Sequence, residues 1–206
     1  MKKRRQCILI TGVPAAGKSY LAEYLSKYLL IPSISKDSIK EILFDTIGFC
    51  TKEEKLHLNT VSVRIMFYCA ERFMKCGQEF ILENNFEDTA KKEIQRLLEQ
   101  YDYKSITVMM NGDCNELYKR FCIRDKSDKR HPGHVIKDFY PRNIEKCDYE
   151  SITLEEFVNK IRTRGMDTFD VGEICFNIDT TDIDKVNWKQ IADSINAMMC
   201  ENREKA

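Results

Sequence analysis

A short apolar run, Cys7–Thr11, leads directly into Gly12-Val13-Pro14-Ala15-Ala16-Gly17-Lys18-Ser19, a full G-x-x-x-x-G-K-S that opens a helical pattern at Tyr20. Such a loop works only between a strand and a helix: its glycines let backbone N–H groups turn inward around phosphate oxygens, and the helix N-terminus adds favourable partial charge. The motif therefore commits the chain to an α/β architecture. It also makes residues 12–20 the expected seat of a nucleotide, with Lys18 at the β and γ phosphates and the Ser19 hydroxyl as a ligand for Mg²⁺.

The rest of the chain agrees with that architecture. Strand-like runs at Cys7–Thr11, Ile31–Ser35, Glu79–Glu83, Ser105–Met110 and Ile174–Asp179 alternate with amphipathic stretches. Leu21, Leu25 and Leu29 recur four apart, and Val61–Lys75 and Glu93–Gln100 follow the same pattern. That rhythm predicts a parallel sheet with helices on both faces. At 206 residues the chain is expected to be a single domain spanning 1–206.

Composition narrows the class of partner. Thirty-three basic residues balance 33 acidic ones, which argues against a dedicated nucleic-acid binder without excluding one. No apolar run is long enough to span a bilayer, so no membrane partner is expected. Nine cysteines, odd in number and without a C-x-x-C pair, read as reduced core thiols. The basic start, Lys2 to Arg5, is followed by too short an apolar run to be a secretion signal, and a cytoplasmic location is expected. The oligomeric state is left open.

Two stretches break the alternation. Residues 119–137 hold seven Lys or Arg against two Asp and form a basic segment with the character of a lid. Residues 138–173 follow as a long polar excursion with one helical piece near Leu154–Arg162, expected to shape the substrate side.

The motifs also select among phosphate-loop proteins. Asn159-Lys160 lacks the aspartate that would complete a guanine-reading N-K-x-D, since Arg162 stands there, and Asp45-Thr46-Ile47-Gly48 follows a helical pattern instead of a strand. A small kinase needs a group to hold the acceptor hydroxyl and cations to close over the transferred phosphate. Asp37, just past the second strand, lies on the rim shared with the loop and can accept a hydroxyl proton. The alternative role for Asp37 is a helix N-cap, but Ser38-Ile39-Lys40-Glu41 spells a capping box that would free it.

Arg120, Arg124 and Arg130 follow the fourth strand on the basic segment and suit phosphate oxygens. The third strand closes in Glu83-Asn84-Asn85-Phe86, with polar groups able to orient substrate or water-bound Mg²⁺ and Phe86 able to pack on an acceptor ring. His131 and His134 flank Pro-Gly in the basic segment; they read better as lid residues near phosphate or substrate than as metal ligands.

The loop together with Ser35-Lys36-Asp37, Phe80–Phe86, Leu117–Phe121, Arg130–His134 and Asn177–Thr181 resembles the predicted ATP-dependent small kinases grouped as AAA-domain proteins. These are related to chloramphenicol phosphotransferase, zeta toxin, gluconate kinase and the kinase half of polynucleotide kinase. The resemblance implies an adenylate-kinase-like five-stranded sheet in the order 2-3-1-4-5 with a helical lid, and ATP and Mg²⁺ as cofactors. It implies Asp37 as the acceptor-activating carboxylate, Arg120 stacked on adenine, Arg124 and Arg130 as lid residues on the phosphates, and Asp179–Thr181, Thr180 included, beside the adenine.

The expected activity is transfer of the γ-phosphate to a hydroxyl of a small molecule. A polynucleotide 5′-hydroxyl kinase and a non-catalytic ATP-dependent switch are the alternatives.

Overall fold

In the computed structural model, which describes residues 5–141, 152–172 and 174–204, the central strand is β1, Arg5–Gly12, buried from Gln6 onward. A strand covered on both faces reads as an unbroken apolar run, which is why Cys7–Thr11 shows no alternation. The sheet is completed by β2 (Ser33–Ser35), β3 (Phe80–Glu83), β4 (Tyr103–Asn111) and β5 (Ile174–Asp179), all parallel, in the order β2-β3-β1-β4-β5, so that β1 pairs with β3 and β4. Lys2 to Arg4 of the basic tail and residues 142–151 and 173 of the excursion lie outside the described residues.

Side chains alternate across the strands and feed two cores. Ile8, Ile10, Ile106 and Val108 meet α1 (Lys18–Leu29), α7 (Leu154–Thr163) and α8 (Trp188–Glu204) through Leu21, Leu25, Phe157, Ile161 and Ile195. On the other face, Cys7, Leu9 and Leu82 meet Met66, Ala70 and Met74 of α3 (Lys52–Lys75) and Ile94 and Leu97 of α4 (Asp88–Tyr101). Both strands and helices extend beyond the periodic patterns in places: β4 starts at Tyr103, and α3 starts nine residues before Val61, where Thr51 caps it by accepting from the Glu54 amide at 3.1 Å.

Two expectations need correction. The helix after β2 is α2, Lys36–Ile47, and its cap is Ser35, whose side chain accepts from the Ser38 amide at 3.4 Å. The strand runs straight into the helix, so Ser38 is already inside the first turn and does not cap; Asp37 is still relieved of capping, by a different serine. The excursion is also less polar in effect than in composition. Phe157, Ile161, Met166, Phe169 and Val171 are all buried, and the Val171 carbonyl accepts from Ser105 Oγ at 3.1 Å and from Thr107 Oγ1.

The basic segment comprises the end of α5 (Cys114–Asp125), a turn, and the short α6 (Pro132–Val135), and it is closed onto α2 and α3. Phe44, Phe49, Leu58 and Ile136 form a small third core there. Lys55 Nζ donates to the carbonyls of His134, at 3.0 Å, and Ile136. The His131 ring lies 3.0 Å from Asp45, and the His134 ring 2.8 Å from Glu41. Among the described residues no group of three or more His, Cys, Asp or Glu could hold a metal.

Gly133 sits flat on the Phe44 ring, where an added Cβ would come to 2.3 Å of Cδ2. Gly133→Ala is expected to destabilise the fold by about 1–3 kcal/mol through overpacking. Urea unfolding checks this; an unchanged midpoint would show that the contact is not tight.

Candidate functional site

Gly12 adopts φ +123°, and a Cβ there would fall 2.0 Å from the Met110 carbonyl oxygen, so only glycine lets the chain leave β1 and curl back over the strand ends. Ala15 at φ 64° and Gly17 at φ 89° complete the left-handed bends of the loop. Gly17 is the N-cap of α1 and carries no side-chain cap, whereas α2, α3, α5, α6 and α7 are each capped by a side chain. The first-turn N–H groups of α1 are thus left for a ligand.

The loop divides by depth. Pro14, Ala15, Gly17, Lys18, Ser19 and Tyr20 line a cleft of 920 Å³, while Gly12, Val13 and Ala16 form its buried base. Val13 therefore does not serve as expected: its amide donates to Met110 O at 3.2 Å, and its carbonyl accepts from Lys18 Nζ at 2.6 Å. Its contribution is to shape the loop and anchor the lysine.

Burial pushes the Lys18 ammonium down to about 8, against the pull of Glu83 and Asp37. Its charge is present below that pH and lost above it. The kcat/KM for a nucleotide triphosphate should accordingly fall as pH rises through about 8, since that ratio reports the free enzyme. A flat profile from pH 7 to about 10 would remove Lys18 from phosphate binding.

Glu83, at the end of β3, is 5% exposed and bridges the first turn of α1 and the end of β2. It accepts from Ser19 Oγ at 3.3 Å and from Ser35 Oγ at 2.5 Å. Asn84 and Asn85 continue along the cleft wall. Phe86 does not: it is fully buried, stacked on Phe169 at 5.2 Å, with its amide donating to Thr11 Oγ1. It is a core residue, and its expected role against an acceptor ring is withdrawn.

Asp37, in the first turn of α2, faces the same cleft with its side chain 41% exposed. Lys36 Nζ lies 2.7 Å from its Oδ1 and is itself held by Asn59 Oδ1 at 3.2 Å. Burial alone would raise the carboxyl, but the cations around it, Lys36 foremost and Lys40 among them, together outweigh it and hold Asp37 well below the usual carboxylate range. It is ionised at any working pH.

The arginines enter from α5 and the turn after it. Arg124 pairs with Asp125 Oδ1 through Nη2 at 2.9 Å, with its guanidinium 5.2 Å from the Phe121 ring centroid; Arg130 Nε lies 3.5 Å from the same oxygen. One carboxylate, only 8% exposed, thus aims two guanidiniums into the cleft. Arg120 Nη2 donates to the Thr180 carbonyl at 2.5 Å, while its Nε and Nη1 are buried without a partner. Thr180 is fully buried and does not line the cleft; it acts through Arg120.

The residues present fit a magnesium nucleotide. The Gly12 cradle, the uncapped α1, Ser19 beside Glu83, and the orphaned donors of Arg120 are features that a phosphate-bearing ligand would satisfy.

Sequence reasoning did not single out Ser35, Lys40, Asn59, Lys160 or Arg164, all of which line the cleft. Lys40 was detectable, one helical turn from Asp37. Lys160 and Arg164 were not, because they carry no motif.

No family model matches the chain. It is 28% identical, over 55% of its own length and 68% of the other's, to a probable adenylyl-sulfate kinase of Pyrococcus abyssi. Among solved structures, a candidate kinase of Chloroflexus aurantiacus superposes with TM-score 0.76 at 21% identity, covering 98% of this chain and 100% of that one. A gluconokinase of Sinorhizobium meliloti gives TM-score 0.55 at 13% identity over 99% and 97% of the two chains. A sugar kinase of Janibacter gives 0.54 at 12% over 93% and 92%. The chain has the five-stranded parallel fold of P-loop kinases.

Proposed function

We propose that this chain is an ATP-dependent kinase that transfers the γ-phosphate of ATP to a hydroxyl of a small molecule. The observation that carries the reading is that Asp37 and the phosphate loop open into one cleft. The loop, the α1 amides and Lys18 would hold the triphosphate, and Ser19, backed by Glu83, would hold Mg²⁺, which would supply charge neutralisation to the phosphates. The hydroxyl donates to Asp37. As its oxygen bonds to phosphorus, the bond to the β-phosphate oxygen breaks, ADP leaves, and the hydroxyl proton passes to the Asp37 carboxylate.

The transition state of such transfers is loose, so positioning and charge matter more than early proton removal. A carboxylate as weakly basic as Asp37 suits that: it aligns the nucleophile and takes the proton late. Arg124 and Arg130 meet the charge spread over the transferring oxygens, and closure of the 119–137 segment excludes water that would otherwise take the phosphate. The names of the gluconokinase, sugar kinase and adenylyl-sulfate kinase relatives support a small acceptor.

The test is ATP consumption across a panel of hydroxyl-bearing metabolites, with Lys18→Ala as control. Stimulation by a compound, abolished in Lys18→Ala, is expected; stable ATP binding with no stimulated turnover would support a switch instead.

A further inference from the structure

We infer that the acceptor carries an oxyanion, of the phosphate, sulfate or carboxylate type, seated between Lys40 and Lys160 on the cleft wall beside Asp37. This rests on the kinase reading above and adds the chemical class of the acceptor.

Most charges in the cleft are paired. Lys36 is taken by Asp37, Arg124 and Arg130 share Asp125, and Arg164 is paired with Glu87. Glu41, the remaining nearby carboxylate on α2, faces His134. Lys40 and Lys160 line the same cleft, and among the described residues neither has a carboxylate within ion-pair distance. The Lys40 ammonium rests 5.3 Å from the centroid of the Phe44 ring. Lys55, close by, is bound to two neutral carbonyls that leave its charge unbalanced.

These cations act on one another. Burial and then Lys36 push Lys40 down to about 7 against the pull of Asp37; burial, then Lys160 and Arg130, push Lys55 down to about 8; burial, then Arg164, lowers Lys160 against the more distant Glu87 and Asp125. Holding unneutralised cations together costs stability, and a bound anion removes that cost. Arg130, whose Nε is buried without a hydrogen bond and reaches Asp125 Oδ1 only at 3.5 Å, adds to the positive field at Lys40.

Placement distinguishes this anion from the nucleotide. The triphosphate is served by the loop and α1, whereas Lys40 lies on α2 with Asp37, and Lys160 lies on α7, along the same cleft. Lys40 follows Asp37 by three residues and Arg164 follows Lys160 by four, so each pair shares one helical face. A neutral polyol would leave both lysines without a direct ion-pair partner among the described residues.

The test uses pyridoxal 5′-phosphate, a lysine reagent that carries its own phosphate, against pyridoxal, which does not. The whole protein is incubated with a non-hydrolysable ATP analogue and Mg²⁺, the adducts are fixed by borohydride reduction, and the modified lysines are mapped by peptide mass spectrometry. Lys40 and Lys160 are expected to react about tenfold faster with the phosphorylated reagent. The exposed Lys52 should show no such preference. Inorganic phosphate, sulfate or acetate should protect both lysines, in an order that assigns the oxyanion.

Equal rates with the two reagents at Lys40 and Lys160, or no protection by any of the three anions, would overturn the inference. Lys18 reports separately: if the analogue fails to shield it, the nucleotide assignment falls, while the result at Lys40 and Lys160 still stands.

Discussion

Replacing Arg124 by alanine is expected to lower kcat by about 10³- to 10⁵-fold, the range that a transition-state arginine supplies in phosphoryl transfer. KM for ATP should move little, because in the proposed reading the loop and α1, not Arg124, hold the ground-state triphosphate. The geometry behind this is the Asp125 carboxylate, which fixes the Arg124 fork at 2.9–3.0 Å and so pre-orients its charge. Asp125→Asn should retain part of the rate, since both arginines remain and only their aim is lost. Steady-state kinetics on both variants decides the matter. An unchanged kcat in Arg124→Ala would reduce the basic segment to a structural cover.

Asp37→Asn should lower kcat by about 10²- to 10⁴-fold while leaving the dissociation constant for magnesium ATP within about twofold. Asparagine keeps the size and the contact to the cleft but cannot take a proton, and it presents a donor where the hydroxyl needs an acceptor. Because Lys36 and the cations beside it keep Asp37 ionised well below the usual range, wild-type kcat should show no acid limb from this group between pH 5 and 8. Calorimetry for binding and initial rates for transfer separate the two effects. Transfer at the wild-type rate would dismiss Asp37 from the chemistry.

The loop's conformation was legible from sequence because it is local: eight consecutive residues carry the backbone bends between β1 and α1. Asp37 was legible by topology, since parallel strands bring their carboxyl ends to one rim. Phe86 was misjudged because its burial depends on Phe169, 83 positions away in a stretch that reads as polar. Ser38 was mistaken for the cap because β2 passes into α2 without a loop, which moves the helix start three residues back. Val13 looked like any other loop residue until its amide was found spent on β4. Lys160 and Arg164 reach the cleft only through the packing of Phe157 and Ile161 against the sheet helices, and no spacing along the chain announces that.

The most direct test of the central claim follows label from ATP marked in its γ-phosphate, in the presence of magnesium and a panel of hydroxyl-bearing acceptors. The account predicts label in an acid-stable ester, one equivalent for each ADP formed, and almost none with Asp37→Asn. Label released only as inorganic phosphate, at the same rate in wild type and variant, would contradict it.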